Sequence, residues 1–209
     1  MKVKTIVTKT YGSNTYVFYN EDTRAGAMID PGGEPQKLLA FLKENDITIE
    51  QILLTHGHFD HILAVHDIVE HTGASICSGE DELAMLMDPS LNLSHEVLGV
   101  DYVVKPDKLL KDGDMLSVGG ASLQVISTPG HTPGGVCFLA AEQGLLFSGD
   151  TLFRESIGRA DLPGGDLPTL ETSIQAKLFT LPPQTVVYPG HAAQTTIQHE
   201  KQHNPHVKG

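Results

Sequence analysis

The 209-residue chain predicts an α/β fold of four layers, an αββα sandwich in which two sheets face each other and helices cover both outer faces. Segments rich in β-branched and aromatic residues alternate with segments whose apolar residues recur at helical spacing. This alternation occurs in two similar halves, and a sheet with helices on one face has to bury its other face. No low-complexity linker separates the halves, so residues 1–209 are expected to form a single domain.

The first half contains a strand, helix, strand unit. Strands are expected at KVKTIVT, TYVFYN and AGAMID, which are β-branched, aromatic or apolar and are separated by turn signals. A helix is expected over Pro35 to Asn45, where proline suits the first turn and apolar residues follow at helical spacing. IEQILLT has the pattern of a buried strand ending at Thr55. Helices are expected at ILAVHDIVEHTG and EDELAMLM, a strand at ASICS, and a surface excursion at residues 88–104.

Strand signals return in the second half, from Lys108 onward. Turn residues at Asp112-Gly113 and Gly119-Gly120 indicate hairpins, and EQG separates the apolar strands GVCFLAA and GLLFSGD. The remaining elements expected are a helix over about Pro168 to Leu178, a strand at QTVVYPGH and a final polar helix near Thr195 to His203.

Composition argues against several classes of protein. The formal net charge is −12 and no Lys/Arg-rich run supplies a basic patch, so a nucleic-acid partner is not expected. A disulfide between Cys77 and Cys137 is compatible with the sequence, but buried free thiols are favoured. The N-terminus lacks an apolar signal core, and no stretch is long enough to cross a bilayer. We therefore expect a cytoplasmic protein without a membrane segment.

Titratable side chains recur just past the expected strands, where loops on a rigid sheet commonly carry chemistry. The stretch LLTHGHFDHI places three histidines and an aspartate within six residues. Burying several titratable groups together is costly unless something compensates them, and a divalent cation does so. The sequence therefore predicts a metal centre. Its candidate residues are Asp30, His56, His58, Asp60, His61, His131, Asp150 and His191.

The spacing of these residues indicates two neighbouring ions. His56 and His58 are two apart in a loop, so both rings can face one ion. Asp60 and His61 begin a helix and can turn toward a second ion beside the first. The six other histidines each stand alone in the sequence and are expected to be structural. The remaining ligands expected are His131 for the first ion, His191 for the second and Asp150 as a bridge.

THGHFDH resembles the THxHxDH signature of the metallo-β-lactamase superfamily, and IDPGG, TPGHTPGG, FSGDTLF and YPGH resemble its other motifs in the same order. The resemblance extends over about residues 14–205. Within the superfamily, SGDTLFRESIGRADLPGGD is most similar to the short glyoxalase II-like hydrolases, also called hydroxyacylglutathione hydrolases. The resemblance implies the same αββα fold. It implies one ion on His56, His58 and His131, a second on Asp60, His61 and His191, and Asp150 between them.

The resemblance further implies hydrolysis of an S-acyl-glutathione or a related small thioester by a hydroxide shared between two divalent ions. Zinc is favoured, with iron and manganese as alternatives. Asp60 is expected to orient the hydroxide, and Asp30 to hold the metal loop from behind the ligands. Arg159 is expected to contact the anionic end of the substrate, with a structural role in its own loop as an equal alternative. The oligomeric state is left open.

Two departures from the longer glyoxalase II enzymes bear on the substrate. Only 18 residues follow His191, where those enzymes carry a helical domain that supplies much of the glutathione site, so glutathione recognition stays open. Ala192 also stands where a glycine commonly follows, a change expected to matter little. Alternative functions are a mono-iron persulfide dioxygenase and a non-catalytic metal-binding protein, although the latter would be expected to lack ligands.

Overall fold

The strands of the molecule form two six-stranded sheets and one short ribbon. A computed structural model describes residues 1–209. The first half of the chain supplies β1 (Lys2–Val7), β2 (Asn14–Tyr19), β3 (Ala25–Ile29), β4 (Thr48–Leu54), β5 (Ser75–Gly79) and β6 (Lys108–Leu110). The second half supplies β7 (Met115–Val118), β8 (Ala121–Ser127), β9 (Val136–Ala140), β10 (Leu145–Gly149), β11 (Leu152–Phe153), β12 (Ser156–Ile157), β13 (Val186–Pro189) and β14 (Thr195–Thr196).

Seven α-helices connect or follow these strands. They are α1 (Pro35–Glu44), α2 (Phe59–Ile62), α3 (Val65–Thr72), α4 (Leu83–Met87), α5 (Ser94–Leu98), α6 (Leu167–Ser173) and α7 (Ile197–His203). A 3₁₀ turn at Glu80–Glu82 precedes α4, another at Ala141–Gln143 joins β9 to β10, and a π-helical turn at Ile174–Leu178 extends α6. None of the helices is long and apolar enough to cross a membrane.

Each sheet combines antiparallel and parallel pairing. In the first sheet, of order β1-β2-β3-β4-β5-β6, the strands from β3 to β6 are parallel neighbours. In the second, of order β14-β13-β10-β9-β8-β7, β10 and β13 are the parallel pair. Parallel neighbours need a crossover, which α1 supplies between β3 and β4 and α3 supplies between β4 and β5. The carboxyl ends of neighbouring parallel strands consequently meet at one edge of each sheet.

Three separate apolar cores fill the spaces between four layers. The outer core of the first sheet includes Leu38 and Ile68, from α1 and α3, packed with Ile52 of β4. The middle core lies between the two sheets. The outer core of the second sheet lies between that sheet and a layer formed by α6, the π-helical turn and α7. The predicted αββα sandwich is therefore confirmed. The middle core includes Phe18, Val125, Phe138 and Phe147, all fully buried.

The predicted hairpin at Asp112-Gly113 is wrong. The turn itself forms, since the Lys111 N–H donates to Asp114 Oδ2 at 2.9 Å. However, β6 pairs with β5 in the first sheet, whereas β7 pairs with β8 in the second. The chain thus crosses from one sheet to the other at this turn. Turn residues determine where the chain reverses, but burial of Leu110 between the sheets determines which strand its segment joins.

Several predicted helices have different limits in the structure. ILAVHDIVEHTG is not one helix, because α2 begins earlier and the Ala64 N–H donates to Pro31 O at 2.9 Å between α2 and α3. Residues 88–104 contain α5. Thr195 and Thr196 form a strand instead of the start of the last helix. The helix predicted over Pro168 to Leu178 is present, with a π-helical second half.

Candidate metal centre

Three histidines from two loops form a first set of side chains, which we call set A: His56, His58 and His131. All three are buried. His58 Nδ1 and His131 Nε2 lie 3.0 Å apart, and one ring nitrogen from each residue lies within 4.8 Å of the others. The loop after β4 carries the first two, and the loop after β8 carries the third. Set A therefore joins the two sheets.

A second cluster, set B, lies beside set A and consists of Asp60, His61 and His191. His61 Nε2 is 3.3 Å from His191 Nε2, and Asp60 Oδ2 is 3.2 Å from His191 Nε2. Asp60 and His61 belong to α2, whereas His191 follows β13. Set B therefore also takes its members from both halves of the chain.

Asp150, directly after β10, lies between the two sets. Its Oδ2 is 3.7 Å from His131 Nε2 in set A and 3.6 Å from His191 Nε2 in set B. Its Oδ1 is 3.4 Å from His61 Nε2 and has no hydrogen-bond partner. A carboxylate at this position can offer one oxygen to each of two neighbouring cations.

Protein acceptors behind the histidines determine which ring nitrogen faces the centre. His61 Nδ1 is 3.1 Å from Asp30 Oδ2, and His131 Nδ1 is 2.6 Å from the Arg159 carbonyl oxygen. Each acceptor receives a hydrogen bond from the Nδ1–H group, which turns the Nε2 side of the ring toward the centre. Asp30 also accepts from the Thr55 N–H at 2.8 Å and from Thr55 Oγ1 at 2.5 Å. Both carboxylate oxygens of Asp30 thus accept hydrogen bonds, from Thr55 and from His61.

The donor set fits divalent cations. Ring nitrogens face each other at short distance in both sets, His58 Nδ1 and His131 Nε2 in set A and His61 Nε2 and His191 Nε2 in set B, where a cation can lie between them. His56 Nε2 and Asp150 Oδ1 are buried without any partner. Tetrahedral coordination at zinc–nitrogen distances of about 2.0–2.1 Å separates two ligand nitrogens by roughly 3.3 Å. The His61–His191 separation of 3.3 Å matches that spacing.

The two sets differ in charge. Burial lowers the pKa of His56, and burial together with the other histidines lowers the pKa of His58 to about 3, so both rings are neutral. Burial opposes charge on His61 too, but carboxylates including Asp150 and Asp60 outweigh it and raise its pKa to about 10. The carboxylates that favour a proton on His61 are ones that a divalent cation at set B would compensate instead.

Backbone contacts hold the loops of set B. Asn14 Nδ2 donates to Pro189 O at 2.9 Å and to Ala192 O at 3.0 Å, on either side of His191. Ser13 Oγ donates to Asp60 O at 2.7 Å. The sequence of this segment, YGSN, predicts only a turn. No pattern in the sequence alone distinguishes a turn residue from one that holds a distant loop.

An open cleft of about 510 Å³ leads to the centre. His58, Asp60, His131, Asp150 and His191 lie at its floor. Arg159 is its only lysine or arginine, and it forms a two-pronged pair with Asp161 at 2.9 and 2.8 Å. The remainder of the wall is largely apolar: Phe59, Leu93, Val97, Phe153, Ile157 and Leu162.

The structure brings together every residue that the sequence predicted for the site. The seven expected ligands form sets A and B with Asp150 between them, and Asp30 lies behind His61. Arg159 lines the cleft but pairs within its own loop, so both roles considered for it have a structural basis. No local signal in the sequence predicts the supporting roles of Thr55, Asn14 and the Arg159 carbonyl.

Comparison with known proteins decides the family. The sequence matches the metallo-beta-lactamase superfamily over residues 8–191. The chain belongs to the metallo-beta-lactamase superfamily. It is a metal-dependent hydrolase of that superfamily. The family match, the metallo-hydrolase relatives and the buried His/Asp cluster all support this assignment.

Two superfamily relatives align over nearly their whole length. The probable metallo-hydrolase YqgX of Bacillus subtilis (strain 168) is 40% identical over 198 residues, which are 94% of this chain and 93% of YqgX. Hydroxyacylglutathione hydrolase GloC of Haemophilus influenzae (strain ATCC 51907 / DSM 11121 / KW20 / Rd) is 35% identical over 208 residues, which cover 98% of this chain and 97% of GloC.

Solved structures of the superfamily superpose closely on this chain. The BLEG-1 B3 metallo-beta-lactamase has a TM-score of 0.94 at 40% identity and covers 100% of both chains. TTHA1623 in a di-iron-bound form has a TM-score of 0.86 at 37% identity, covering 97% of this chain and 99% of that one. ETHE1 from Myxococcus xanthus has a TM-score of 0.83 at 31% identity, and the match covers 99% of this chain and 84% of ETHE1. The iron named for TTHA1623 is a property of that protein.

Proposed function

We propose that this protein is a thioesterase of the glyoxalase II type, which hydrolyses an S-acyl-glutathione or a related small thioester. The observation that carries the proposal is the convergence of sets A and B, with Asp150 between them, at the floor of an open cleft. Set A would hold one divalent ion and set B a second, and Asp150 could offer one carboxylate oxygen to each. Zinc is the favoured metal, and iron or manganese would suit the same ligands.

Two divalent ions at such a centre supply Lewis acidity and lower the pKa of bound water toward neutrality. The protein supplies orientation. Burial opposes ionisation of Asp60, but His61 and His191 outweigh it and hold the Asp60 pKa below its usual value, so the side chain is an acceptor. An anionic carboxylate at the floor of the cleft can accept a hydrogen bond from the attacking water and direct its lone pair at the thioester carbon.

The products of the reaction are a carboxylic acid and a thiol. Addition of water to the acyl carbon forms the new C–O bond, and cleavage of the C–S bond releases a thiolate that takes up a proton. A thiolate is a stable leaving group near neutral pH. The cleft therefore needs no dedicated general acid, and its polar floor does not supply one besides the proposed ligands.

The cleft is consistent with a small thioester. Its apolar wall suits an acyl chain or a thioether segment, and Arg159 offers one cationic group at the rim. The name of the relative GloC, hydroxyacylglutathione hydrolase, supports glutathione thioesters as the first substrates to test. Asp161 competes for the Arg159 guanidinium, so recognition of an anionic substrate end requires that pair to open.

A mono-iron persulfide dioxygenase is the second candidate function. The similarity to ETHE1 over 99% of this chain favours it, whereas the di-iron form of TTHA1623 shows that a relative can bind iron at two positions. The two proposals differ in metal content and in co-substrate, because the dioxygenase consumes oxygen and the thioesterase does not.

The deciding experiment combines metal analysis of the purified protein with three assays. S-lactoylglutathione, a glutathione-free thioester and glutathione persulfide are each tested with oxygen uptake recorded. Two ions per chain, and thioester hydrolysis that disappears on chelation and returns with zinc, are expected. One iron per chain with oxygen uptake on the persulfide would contradict the proposal and favour the alternative.

Asp150→Ala tests the bridging assignment in the same assays. Removal of the shared carboxylate is expected to lower metal content toward one ion per chain and turnover by at least about 1,000-fold, because both sites lose a ligand. Asp161→Ala, at the cleft rim, is the control and keeps both ions. Full metal content and full rate in Asp150→Ala would remove the bridge.

A further inference from the structure

Glu82 is a fully buried carboxylate that the proposed reaction does not use. Its Oε1 accepts a hydrogen bond from the Gly57 N–H at 2.8 Å. Its Oε2 accepts one from Thr132 Oγ1 at 2.9 Å and another from the Gly134 N–H at 2.9 Å. Gly57 lies between the two set A histidines of the first loop, and Thr132 directly follows the third. One carboxylate therefore ties together both loops that carry set A.

The partners of Glu82 are all neutral donors. The nearby Lys111 pairs with Glu80 at 3.6 Å and not with Glu82. Burial raises the pKa of Glu82 to about 7, against the three hydrogen bonds, which favour its anion. A buried carboxylate without a cationic partner is a weak source of folding stability compared with an apolar side chain. What its hydrogen bonds do provide is a fixed distance between two loops.

The segment that carries Glu82 packs closely against these loops. A Cβ atom on Gly134 would overlap the Glu82 backbone nitrogen, and one on Gly79 would overlap the Gly134 carbonyl oxygen. A Cβ on Gly57 would lie 3.1 Å from Met85 Cγ, in the helix that follows. Glycine at these positions allows backbone to lie directly on backbone. The backbone around Glu82 is therefore in direct contact with both loops that carry set A.

Set B is held by groups other than Glu82, one of which, Asp30, also reaches His56 of set A through Thr55 Oγ1. Asp30 contacts His61, and Ser13 and Asn14 hold the backbone at Asp60 and around His191. None of the hydrogen bonds of Glu82 reaches these residues. Loss of the Glu82 carboxylate should therefore disturb one set and leave the other in place.

We infer that Glu82 is a positioning residue for the cation held by set A, and that it determines the affinity of this site without changing that of set B. The inference rests on the two-ion centre proposed above. Groups behind metal ligands commonly change metal affinity by about 10- to 100-fold when removed. Glu82 acts one step further back, through backbone, so we expect the lower end of that range.

The test measures zinc affinity at each site by competition with a chromophoric chelator. His191→Ala leaves set A complete and His58→Ala leaves set B complete, so each background reports on one site. Glu82→Gln keeps the side-chain volume but replaces one acceptor oxygen by an amide that meets a donor. It is expected to weaken zinc binding about tenfold in the His191→Ala background. In the His58→Ala background the change should stay within about twofold.

Two further variants protect the test from a general folding effect. Thr132→Val removes one of the three donors and keeps Glu82 itself, and is expected to weaken the set A site in the same direction by a smaller factor. Glu80→Gln alters the exposed acid of the same 3₁₀ turn and should change neither site. If Glu82→Gln does not fold, the Thr132→Val result decides.

Equal losses at both sites, or no loss at the set A site, would overturn the role of Glu82 while leaving the two-ion centre intact. Absence of zinc binding by the unmodified protein would instead remove the proposed centre, and the inference with it.

Discussion

At the scale of single residues, the candidate centre depends on groups that orient the rings of two of its histidines. Asp30 takes the Nδ1 side of His61, and the Arg159 carbonyl takes that of His131. Arg159 therefore contributes through its backbone whether or not its guanidinium contacts a substrate. A ligand whose ring is already oriented loses less conformational entropy when a cation binds. The site is thus organised before a metal arrives.

The pair between Arg159 and Asp161 gives a prediction about substrate charge. Asp161→Asn frees the guanidinium at the cleft rim, and is expected to lower the KM for an anionic glutathione thioester roughly two- to fivefold, because an exposed pair of this kind is weak. The kcat should not change, since neither side chain is a proposed ligand. Steady-state kinetics on S-lactoylglutathione measures both constants.

Two comparisons make this result specific. Glu155→Gln changes an exposed acid near Arg154 outside the cleft lining and should leave KM alone. A neutral thioester should show no difference between Asp161→Asn and the unmodified protein. A KM for the anionic substrate that stays constant or rises in Asp161→Asn would favour the purely structural role of Arg159.

At the scale of elements, strand ends bring the ligands together. The loops after β4, β8, β10 and β13 carry all of the proposed ligands, with α2 beginning in the first of them. At these strand ends the surrounding atoms lie so close to the backbone that some positions have no room for a side chain. Gly190 precedes His191, and a Cβ atom on it would overlap Asp150 Oδ1 and lie 2.7 Å from His61 Cε1. Glycine is required here for space.

Gly190→Ala should therefore damage the site more than the fold. The added methyl displaces Asp150 or His191, and a misplacement of about 1 Å in a reacting centre costs roughly 100-fold in rate. Metal content should fall with it. Gly73→Ala is the matched control, because Gly73 has a φ of 69° in open space far from the ligands. Gly73→Ala is expected to lower the free energy of unfolding by about 1 kcal/mol and to leave the metal content unchanged.

Metal analysis and thermal denaturation of both variants separate the two effects. Retention of metal and rate in Gly190→Ala would show that the loop after β13 can shift without consequence for the centre.

At the scale of the whole molecule, each set takes ligands from both sheets. His56 and His58 follow the first sheet and His131 the second, while Asp60 and His61 face His191 in the same way. The sheets otherwise meet through the apolar core between them. Cations bound to sets A and B would add a polar connection at the edge of this core, which couples metal binding to global stability.

Metal binding is therefore expected to raise Tm. At a free metal concentration 100 times Kd, one site contributes about 2.7 kcal/mol. For a chain of this length that corresponds to a rise of roughly 5–10 °C. Calorimetry of the metal-free and zinc-loaded protein measures the shift, and the double variant His56→Ala with His191→Ala should lose it. An equal rise in that double variant would show that zinc binds elsewhere.

Local patterns were enough to predict the αββα class and the candidate ligands. β-branched runs, helical spacing and the THGHFDH cluster depend on neighbours in sequence, and the order of strand ends indicated which residues could converge. The same information failed at Asp112-Gly113, where the turn is local but the pairing of β6 with β5 is not. Helix limits near Ala64 failed for a similar reason, since a distant carbonyl interrupts the helix.

Only the tertiary structure decided which groups support the ligands. Glu82 stands in GEDE among acids that reach solvent, yet it is buried between two loops that are 75 residues apart in sequence, at Gly57 and Thr132. Asn14 holds a loop at Pro189 across the whole chain. Such roles arise from long-range packing, which places a polar side chain beside a backbone donor or acceptor that no local pattern specifies. The sequence by itself determined the chemistry available, and packing determined how that chemistry is held.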